Sequence, residues 1–538
     1  MSFSSISLTA NIKYLNPLVA DYLFLPEKIK NLFNHFADKN GFENIIKEIS
    51  NHTFDRKQLV DILLHQTQTI ENTSKETLQN IEKLSQSNTF TITTGHQLNL
   101  LTGPLFFIYK ISATIYLSQH LSQLFPEYNF VPIYWMASED HDAEEINHFY
   151  FKDQKFQWNI SSDGTPVGSI PTDGLNVLFN QMKESNLFPD EVIQLFENTY
   201  LKHSSLADAT RYLVNHLFSD KGIVILDPTT SELKNKFKHI FYDDIFENKI
   251  YHLTQNNVTF LKENHYHIQA NPQKINTFYI HQNKRYLIKQ EENNFKLKGT
   301  GKILSENELK NLLEEHPERF SPNVLLRPLF QQTILPNIAY IGGSAEISYW
   351  LLLKQTFQSY SIPYPILLQR PILFLSPKNI ERKINKLNVL LEDIFNNDIH
   401  QLAYKILEKN NLSVRFDEQK QQVEKIFNAF IQQAQSIDPT LISTINAELT
   451  KTLKSIENIE QKMNKAIKQK NEIIQQQLSD IYNNFFPQNT MQDRIWNIAF
   501  AYQITESSSL KNFIDNIFEH CDIDIYSHKN FQLKILKP

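Results

Sequence analysis

The segment Ser138–His148 (SEDHDAEEINH) carries the densest group of titratable side chains in the chain, seven in eleven positions. If it is helical, His141, Glu144 or Glu145, and His148 share one face at a spacing typical of metal ligands. The neighbouring carboxylates would also raise an imidazole pKa, which suits His141 or His148 for proton transfer. A solvated, acidic helix start explains the same residues without any chemistry.

A glycine-containing loop follows the short apolar run TFTIT and could bind an anion. It contains Thr94 and Gly95, and it closes with Thr102 and Gly103 before an apolar helix that is predicted to begin at Pro104. Thr102 is the expected N-cap. Backbone N–H groups at such a turn can cradle a phosphate or a carboxylate. The pattern matches neither GxGxxG nor a P-loop, so a plain glycine turn with hydroxyl caps is an equal alternative.

The segment IGGSAE repeats this strand, glycine turn and helix arrangement. Gly342 and Gly343 form the turn, Ser344 is the expected N-cap, and Glu346 could hold a ligand ammonium or hydroxyl group. The alternative is a tight strand-to-helix turn with no ligand.

Further candidates stand alone in the sequence. Arg327 and Gln331 precede the second glycine turn and Arg370 follows it. An arginine can bind a carboxylate with two hydrogen bonds, although a structural ion pair is the commoner role. His96 is equally ambiguous. Cys521 lies far from every motif and is predicted to be an unreactive buried thiol.

Glycine is scarce, with 11 residues among 538, whereas average usage would give about 38. The glycines that remain are therefore candidates for positions where the backbone needs a positive φ or a close approach to a ligand. None follows Gly343. The C-terminal third is accordingly predicted to be mainly helical.

Strands and helices alternate around these motifs, which predicts an α/β fold with a parallel sheet. The predicted strands cover residues 89–93, 131–137, 222–227 and 337–343, and PYPILLQRPILFL is predicted to supply one more. Ligands bind beyond the carboxyl ends of such strands. The motifs above therefore lie where a site is expected.

The domain organisation follows from changes in pattern. Residues 1–88 are predicted as an N-terminal helical segment of the core, and 89–375 as the core itself, with connecting insertions at about 151–205 and 240–325. Apolar residues at 3–4 spacing on both sides of Asp438–Pro439 predict an antiparallel coiled-coil domain at 376–485, although a helical face packed on the core is the alternative. Residues 486–538 are predicted to return to the core.

Composition excludes several classes of function. The formal net charge is −6 and there is no dense Lys/Arg run, so nucleic acid is not an expected partner. No signal sequence or stretch long enough to span a membrane is recognisable. A single cysteine excludes an intrachain disulfide framework and fits a reducing compartment. A soluble cytoplasmic protein is expected.

Three blocks, ITTGHQLNLLTGPLFFIYK, VPIYWMASEDHDAEEINH and RPLFQQTILPNIAYIGGSAEISYW, together with the late FFPQNTMQDR, resemble the bacillithiol-biosynthesis BshC family in the right order. The resemblance spans about residues 90–495. It implies a Rossmann-like core with connecting insertions and a coiled coil used for homodimerisation. It also implies a ligase that forms the amide bond between cysteine and glucosaminyl-malate. ATP is a hypothesis for activating the acyl group, and no metal is predicted.

The resemblance implies a single pocket at the strand ends. Its expected catalytic residues are His96, His141, Asp142 and His148. Its expected substrate- or nucleotide-binding residues are Thr94, Gly95, Gln97, Thr102, Gly103, Asn147, Arg327, Gln331, Gly342, Gly343 and Glu346. Two alternatives stay open: a metal-dependent hydrolase centred on His141, Glu145 and His148, and a nucleotide-binding scaffold without chemistry.

Overall fold

The computed structural model describes residues 2–7, 15–161, 163–396, 402, 406, 414–523 and 532–537. The chain divides into two units. The first contains Met1–Pro377 and Thr490–Pro538, and the second contains Lys378–Asn489. The final 49 residues of the first unit therefore follow the second unit in sequence.

The strands are β1 (Ser2–Ser7), β2 (Thr89–His96), β3 (Asn129–Met136), β4 (His148–Phe151), β5 (Gln154–Gln157), β6 (Val224–Leu226), β7 (Thr277–His281), β8 (Lys284–Glu291), β9 (Asn294–Leu297), β10 (Ile303–Ser305), β11 (Phe320–Pro322), β12 (Asn337–Gly342), β13 (Ile366–Gln369), β14 (Ile372–Leu375) and β15 (Gln532–Lys537).

The central sheet of the first unit has the strand order β13-β12-β2-β3-β6, and every neighbouring pair in it is parallel. The predicted α/β fold with a parallel sheet is confirmed. Its strands are buried on both faces, as crossover helices on each side require. All five carboxyl ends therefore meet at one edge of the sheet.

The α-helices of the first unit are Pro17–Phe24, Lys39–Ser50, Arg56–Thr67, Lys75–Lys83, Phe106–Leu124, Ala143–Ile146, Leu175–Ser185, Asp190–Phe196, Leu206–Phe218, Ser231–Glu247, Lys249–Glu263, Glu306–Glu315, Arg327–Ile334, Ser344–Trp350, Lys354–Ser359, Ile498–Ile504 and Leu510–Glu519. Among the described residues, none of the helices has both the length and the apolar character that crossing a bilayer requires.

The helix after β2 begins at Phe106 rather than at Pro104, and Thr102 does not cap it. The reason is the conformation of the preceding turn, where Leu101, Thr102 and Gly103 all have positive φ. The Asn497 side chain holds this turn, donating to the carbonyls of Leu101 at 2.7 Å and Gly103 at 2.8 Å. A residue near the end of the chain thus fixes a turn near its beginning.

PYPILLQRPILFL forms two strands in two sheets, not one strand as predicted. β13 closes the edge of the central sheet, while β14 pairs in parallel with β15, which pairs antiparallel with β1. Pro371 separates them because it has no N–H to donate to a continuing ladder. The segment predicted as helical, residues 1–88, also supplies β1, and the predicted helical C-terminal third ends in β15.

The 240–325 region contains a second sheet, with the order β10-β9-β8-β7-β11 and antiparallel pairing throughout. The 151–205 region begins with the β4–β5 hairpin and continues with short helices. Both regions fold as structured parts of the first unit.

In the second unit, the α-helices are Lys378–Leu387, Leu391–Asn396, Asp417–Ile437 and the 44-residue Ile442–Phe485. A single 3₁₀ turn, Pro439–Leu441, joins the two long helices. The Lys420 ammonium lies 2.9 Å from the Glu460 carboxylate, and the Val414 N–H donates to Asn464 at 3.1 Å. These pairs run in opposite chain directions, so the predicted antiparallel coiled-coil hairpin is confirmed.

Candidate functional site

A cavity of about 740 Å³ opens at the carboxyl edge of the central sheet. Its size is typical of a small-molecule site. Every strand of the sheet contributes to its wall: Arg370 follows β13, Gly343 follows β12, His96 ends β2, Met136 ends β3, and Pro228 follows β6. The antiparallel sheet adds Phe278, Arg285 and Leu287.

β2 extends through Thr94, Gly95 and His96, which were predicted to lie in the loop. This strand end and the Gly342–Gly343 turn, called the two glycine turns below, are joined by a buried lysine that the sequence motifs did not reveal. The Lys110 ammonium donates to the Gly95 carbonyl and to both carboxylate oxygens of Glu346, at 3.0 and 2.8 Å. The same carboxylate accepts from the Tyr340 hydroxyl at 2.5 Å and from the Gly343 N–H at 2.8 Å. Both oxygens of Glu346 are therefore engaged with the protein.

Burial by itself would raise the pKa of Glu346, but the charge of Lys110 and the bonds from Gly343 and Tyr340 outweigh it, so the pKa falls to about 2. Glu346 is thus ionised at neutral pH. The role predicted from sequence, holding a ligand ammonium, stays a prediction, because its oxygens already accept four hydrogen bonds.

Arg327 lines the cavity beside this cluster. Its guanidinium lies 5.0 Å from the centre of the Tyr340 ring and 5.7 Å from that of Trp350, a stacking that fixes its plane. Nη1 donates to Gln331 at 3.0 Å. Among the residues that the structure describes, Arg327 forms no ion pair, and its Nη2 has no hydrogen-bond partner. It is the cation of this wall best able to take a substrate anion.

Two other cations of the first unit, Arg370 and Lys234, are already paired with carboxylates of the protein. Arg370 donates to Asp493, a buried pair, and Lys234 lies 2.6 Å from both oxygens of Glu139. Glu139 also accepts from Ser321 at 2.9 Å. Arg494, on the cavity wall, is exposed.

His141 also lines the cavity, where it contacts Arg285. The Arg285 Nη1 lies 3.1 Å from His141 Nδ1; because guanidinium can only donate, Nδ1 accepts and the neutral ring carries its proton on Nε2. Burial and Arg285 lower the pKa of His141, although Asp140 and Asp142 oppose them. The sequence-based expectation of a raised pKa is wrong, because burial of the ring and the positive charge of Arg285 from β8 outweigh the neighbouring carboxylates.

Gln97 and Asp140 are neighbouring polar residues of the cavity wall. Gln97 Nε2 donates to Asp140 at 2.7 Å, and Glu145 lines the cavity beside them. Burial raises the pKa of Glu145. Asp142 lies away from the cavity wall, where it caps the short helix by accepting from the Glu144 N–H at 3.2 Å.

His148 and Asn147 do not line the cavity. His148 begins β4, so the segment is not one helix and the expected common face is absent. His148 Nδ1 lies 3.1 Å from Asn147 Oδ1, and burial lowers its pKa. Within the described ranges no group of three or more His, Cys, Asp or Glu side chains is placed to hold a metal. This geometry does not favour the metal-dependent hydrolase.

The remaining predicted residues divide between wall and support. Gly95, His96, Gln97, His141, Arg327, Gly343 and Glu346 line the cavity. Thr94 supports it from within the sheet, donating to the Ile341 carbonyl at 2.8 Å. Four further predicted residues are buried and do not line the cavity: Thr102, Gly103, Gln331 and Gly342.

His96 contacts the rings of Phe106 and Phe107, with centroids 5.1 and 5.0 Å away. Its Nε2 is buried and has no hydrogen-bond partner within the described part of the chain. Burial, reinforced by Lys110 and Arg370, lowers the pKa of His96 to about 3. At neutral pH it is therefore an uncharged side chain and not a proton donor.

Sequence reasoning missed Lys110 and Arg285, and only Lys110 has a signal in the sequence. Lys110 is the only Asp, Glu, Lys or Arg residue in the apolar helix Phe106–Leu124, and an isolated charge on a buried helix is a usable signal. Arg285 left none, since it lies in a polar β8 that reads as an exposed strand.

Comparisons with known proteins agree with this architecture. The family described as "Bacillithiol biosynthesis BshC, N-terminal Rossmann-like domain" matches residues 1–371, and its "C-terminal coiled-coil domain" matches residues 373–522. Relatives named "Putative cysteine ligase BshC" are 40% identical in Flavobacterium johnsoniae, covering 91% of this chain and 93% of that one, and 41% identical in Flavobacterium psychrophilum, covering 91% and 92%. One from Bacillus cytotoxicus is 28% identical, covering 90% and 93%.

Proposed function

This chain belongs to the BshC family of bacillithiol biosynthesis, and on that premise we propose that it is a cysteine ligase that joins cysteine to glucosaminyl-malate. The relatives that carry the name of cysteine ligase match it over nine tenths of its length. The product is the thiol bacillithiol, and the step is the last in its synthesis.

The observation that carries this proposal is a single cavity with charges of both signs on its walls. Arg327 and Arg494 can take carboxylates, while Asp140 and Glu145 can take an ammonium or sugar hydroxyls. Cysteine brings one carboxylate, and glucosaminyl-malate brings two carboxylates and the amine. A ligand pair of this polarity fits walls of this polarity.

Amide formation requires the acyl carbon of cysteine to lose one carboxylate oxygen and the sugar amine to lose a proton. We assign the first task to ATP, a nucleoside triphosphate that makes the oxygen a leaving group. The cations of the cavity wall that could contact an anionic group of this kind are Arg327 and Arg494.

Glu145 is the group assigned to take the amine proton. Its pKa is raised by burial, and a carboxylate with a raised pKa is a better general base near neutral pH. His141 is the less suitable acceptor, because Arg285 occupies its Nδ1. E145Q is expected to lower kcat about 100-fold, which steady-state kinetics would measure; an unchanged kcat would exclude the role.

A homodimer formed through the coiled-coil unit is part of the proposal. Ile426, Phe430, Ile459 and Met463 on its two long helices are 53, 48, 53 and 42% exposed, and apolar side chains at this exposure favour burial against a partner. The cytoplasm is the proposed location, since the substrate and the product are both thiols that a reducing compartment preserves.

The direct test is to incubate the purified chain with cysteine, glucosaminyl-malate and ATP and to detect bacillithiol by mass spectrometry. Deleting the gene should abolish bacillithiol and accumulate glucosaminyl-malate. A deletion strain with normal bacillithiol and no accumulated precursor would contradict the ligase. A chain that binds both substrates but forms no product would support the scaffold instead.

A further inference from the structure

Lys110 is unusual for its position. It is the only Asp, Glu, Lys or Arg residue in the helix Phe106–Leu124, most of which is buried. The Lys110 side chain is itself only 2% exposed. A lysine ammonium is stable at such depth only when charged or polar atoms surround it. The three hydrogen bonds described above supply that environment.

Those bonds join two separate elements. The Gly95 carbonyl belongs to the end of β2, and the Glu346 carboxylate belongs to the helix that follows β12. β2 and β12 are neighbours in the sheet. The ammonium therefore spans the gap between the two glycine turns at the point where both reach the cavity.

The arrangement also fixes the groups that face the ligand. Glu346 accepts from Tyr340, and the Tyr340 ring stacks on Arg327. A Cβ at position 95 would lie 3.3 Å from Arg327 Nη1 and 3.4 Å from the Tyr340 hydroxyl. The Gly95 backbone therefore lies close to the guanidinium and to the tyrosine hydroxyl, and its position is part of their immediate surroundings.

We propose that Lys110 is a positioning residue of the site, which ties the Gly95 turn to the Glu346 helix and thereby sets the place of Tyr340 and Arg327 on the cavity wall. Lys110 itself does not touch the reacting atoms. The consequence for rate rests on the proposed ligase function, but the structural link does not.

K110M alone leaves the Glu346 carboxylate buried without its cation, which threatens folding. The decisive variant is therefore K110M/E346Q, which removes both charges and keeps similar volumes. The matched control is K234M/E139Q, which removes another buried lysine–glutamate pair of the same unit without touching either glycine turn.

Hydrogen exchange measured by mass spectrometry on segments 95–97 and 343–345 reads the link directly and needs no substrate. In K110M/E346Q we expect exchange at least tenfold faster than wild type in both segments, and in K234M/E139Q we expect no change there. Unchanged exchange in either segment of K110M/E346Q would overturn the proposal.

The ligation assay adds the functional arm. A fall of at least tenfold in kcat/KM for K110M/E346Q, with melting retained, supports positioning; an unchanged kcat/KM with faster exchange would overturn it. If the wild-type chain forms no bacillithiol, the ligase proposal fails, and the exchange result still decides whether Lys110 joins the two turns.

Discussion

At the scale of single residues, the cations in and around the site differ in whether a carboxylate of the protein already pairs with them. Lys110, Lys234 and Arg370 each have a carboxylate partner inside the protein. Arg327 has aromatic neighbours and Gln331 instead. A guanidinium held in place but not neutralised is ready for an external carboxylate or phosphate, because binding then costs little reorganisation.

R327Q should raise KM for the substrate whose carboxylate the arginine binds by about 10- to 100-fold, since a charge-assisted hydrogen bond contributes about 1.5–3 kcal/mol. Steady-state kinetics with cysteine and glucosaminyl-malate varied separately would show which substrate is affected. R319Q, which alters an arginine away from the cavity wall, is the control. Equal KM values for R327Q and wild type would exclude the anchor.

Outside the site, the buried Asp244 carboxyl should make the free energy of unfolding depend on pH. Burial raises its pKa from 3.8 to about 6, although hydrogen bonds from Asn276 and Thr277 oppose the shift. The pKa of Asp244 is higher in the folded protein than in the unfolded chain. Its contribution to the free energy of unfolding is therefore fully present below pH 3.8 and is lost as pH rises through 6.

D244N lacks this titration. The free energy of unfolding of D244N relative to wild type should therefore rise with pH across this window, by on the order of 2–3 kcal/mol. Urea unfolding at several pH values would measure it. A difference that stays constant with pH would contradict the assigned pKa.

At the scale of elements, the turn between β2 and the helix Phe106–Leu124 depends on a glycine that cannot be replaced. Gly103 has φ +59°, and a Cβ there would lie 2.5 Å from Asn99 Cβ. Gly301 has no atom within 4 Å of an added Cβ. The two positions separate a required glycine from a permissive one.

G103A should lower the free energy of unfolding by about 2–4 kcal/mol, because backbone strain and a steric clash act together. G301A should change it by less than about 1 kcal/mol. Denaturant unfolding of both variants measures the difference. Equal stabilities would mean that the turn relaxes without cost.

At the scale of the whole molecule, the candidate site and the proposed dimer surface lie in different units. The cavity is lined by residues of the first unit alone, whereas several of the exposed apolar side chains lie on the long helices of the second. Catalysis and dimerisation should therefore be separable by mutation.

Small-angle scattering of the wild-type chain should give twice the mass of 63.2 kDa. Phe430→Glu combined with Ile459→Glu should halve the measured mass, because a charge at each position opposes burial of the helices. Lys451→Gln should leave the mass unchanged, because Lys451 lies on the same helix as Ile459 but its side chain is 72% exposed and polar. A monomeric wild-type chain would exclude the homodimer.

The parallel sheet, the hairpin of long helices and the turn at Gly342–Gly343 could be predicted from the sequence, because each depends on local periodicity or on the few residues that a turn permits. The loop predicted to begin at Thr94 begins later, because β2 continues to His96. Gly95, Gly343 and His141 line one cavity, as their places after predicted strands indicated.

The charge state of the side chains in the site could not be predicted from the sequence, because it depends on contacts between distant segments. Lys110 meets Glu346 across 236 residues, and Arg285 meets His141 across 144. Such partners share no spacing that a sequence pattern can display, yet they determine whether each side chain is charged, because the pKa of a buried group depends on burial and on the charges that packing brings beside it.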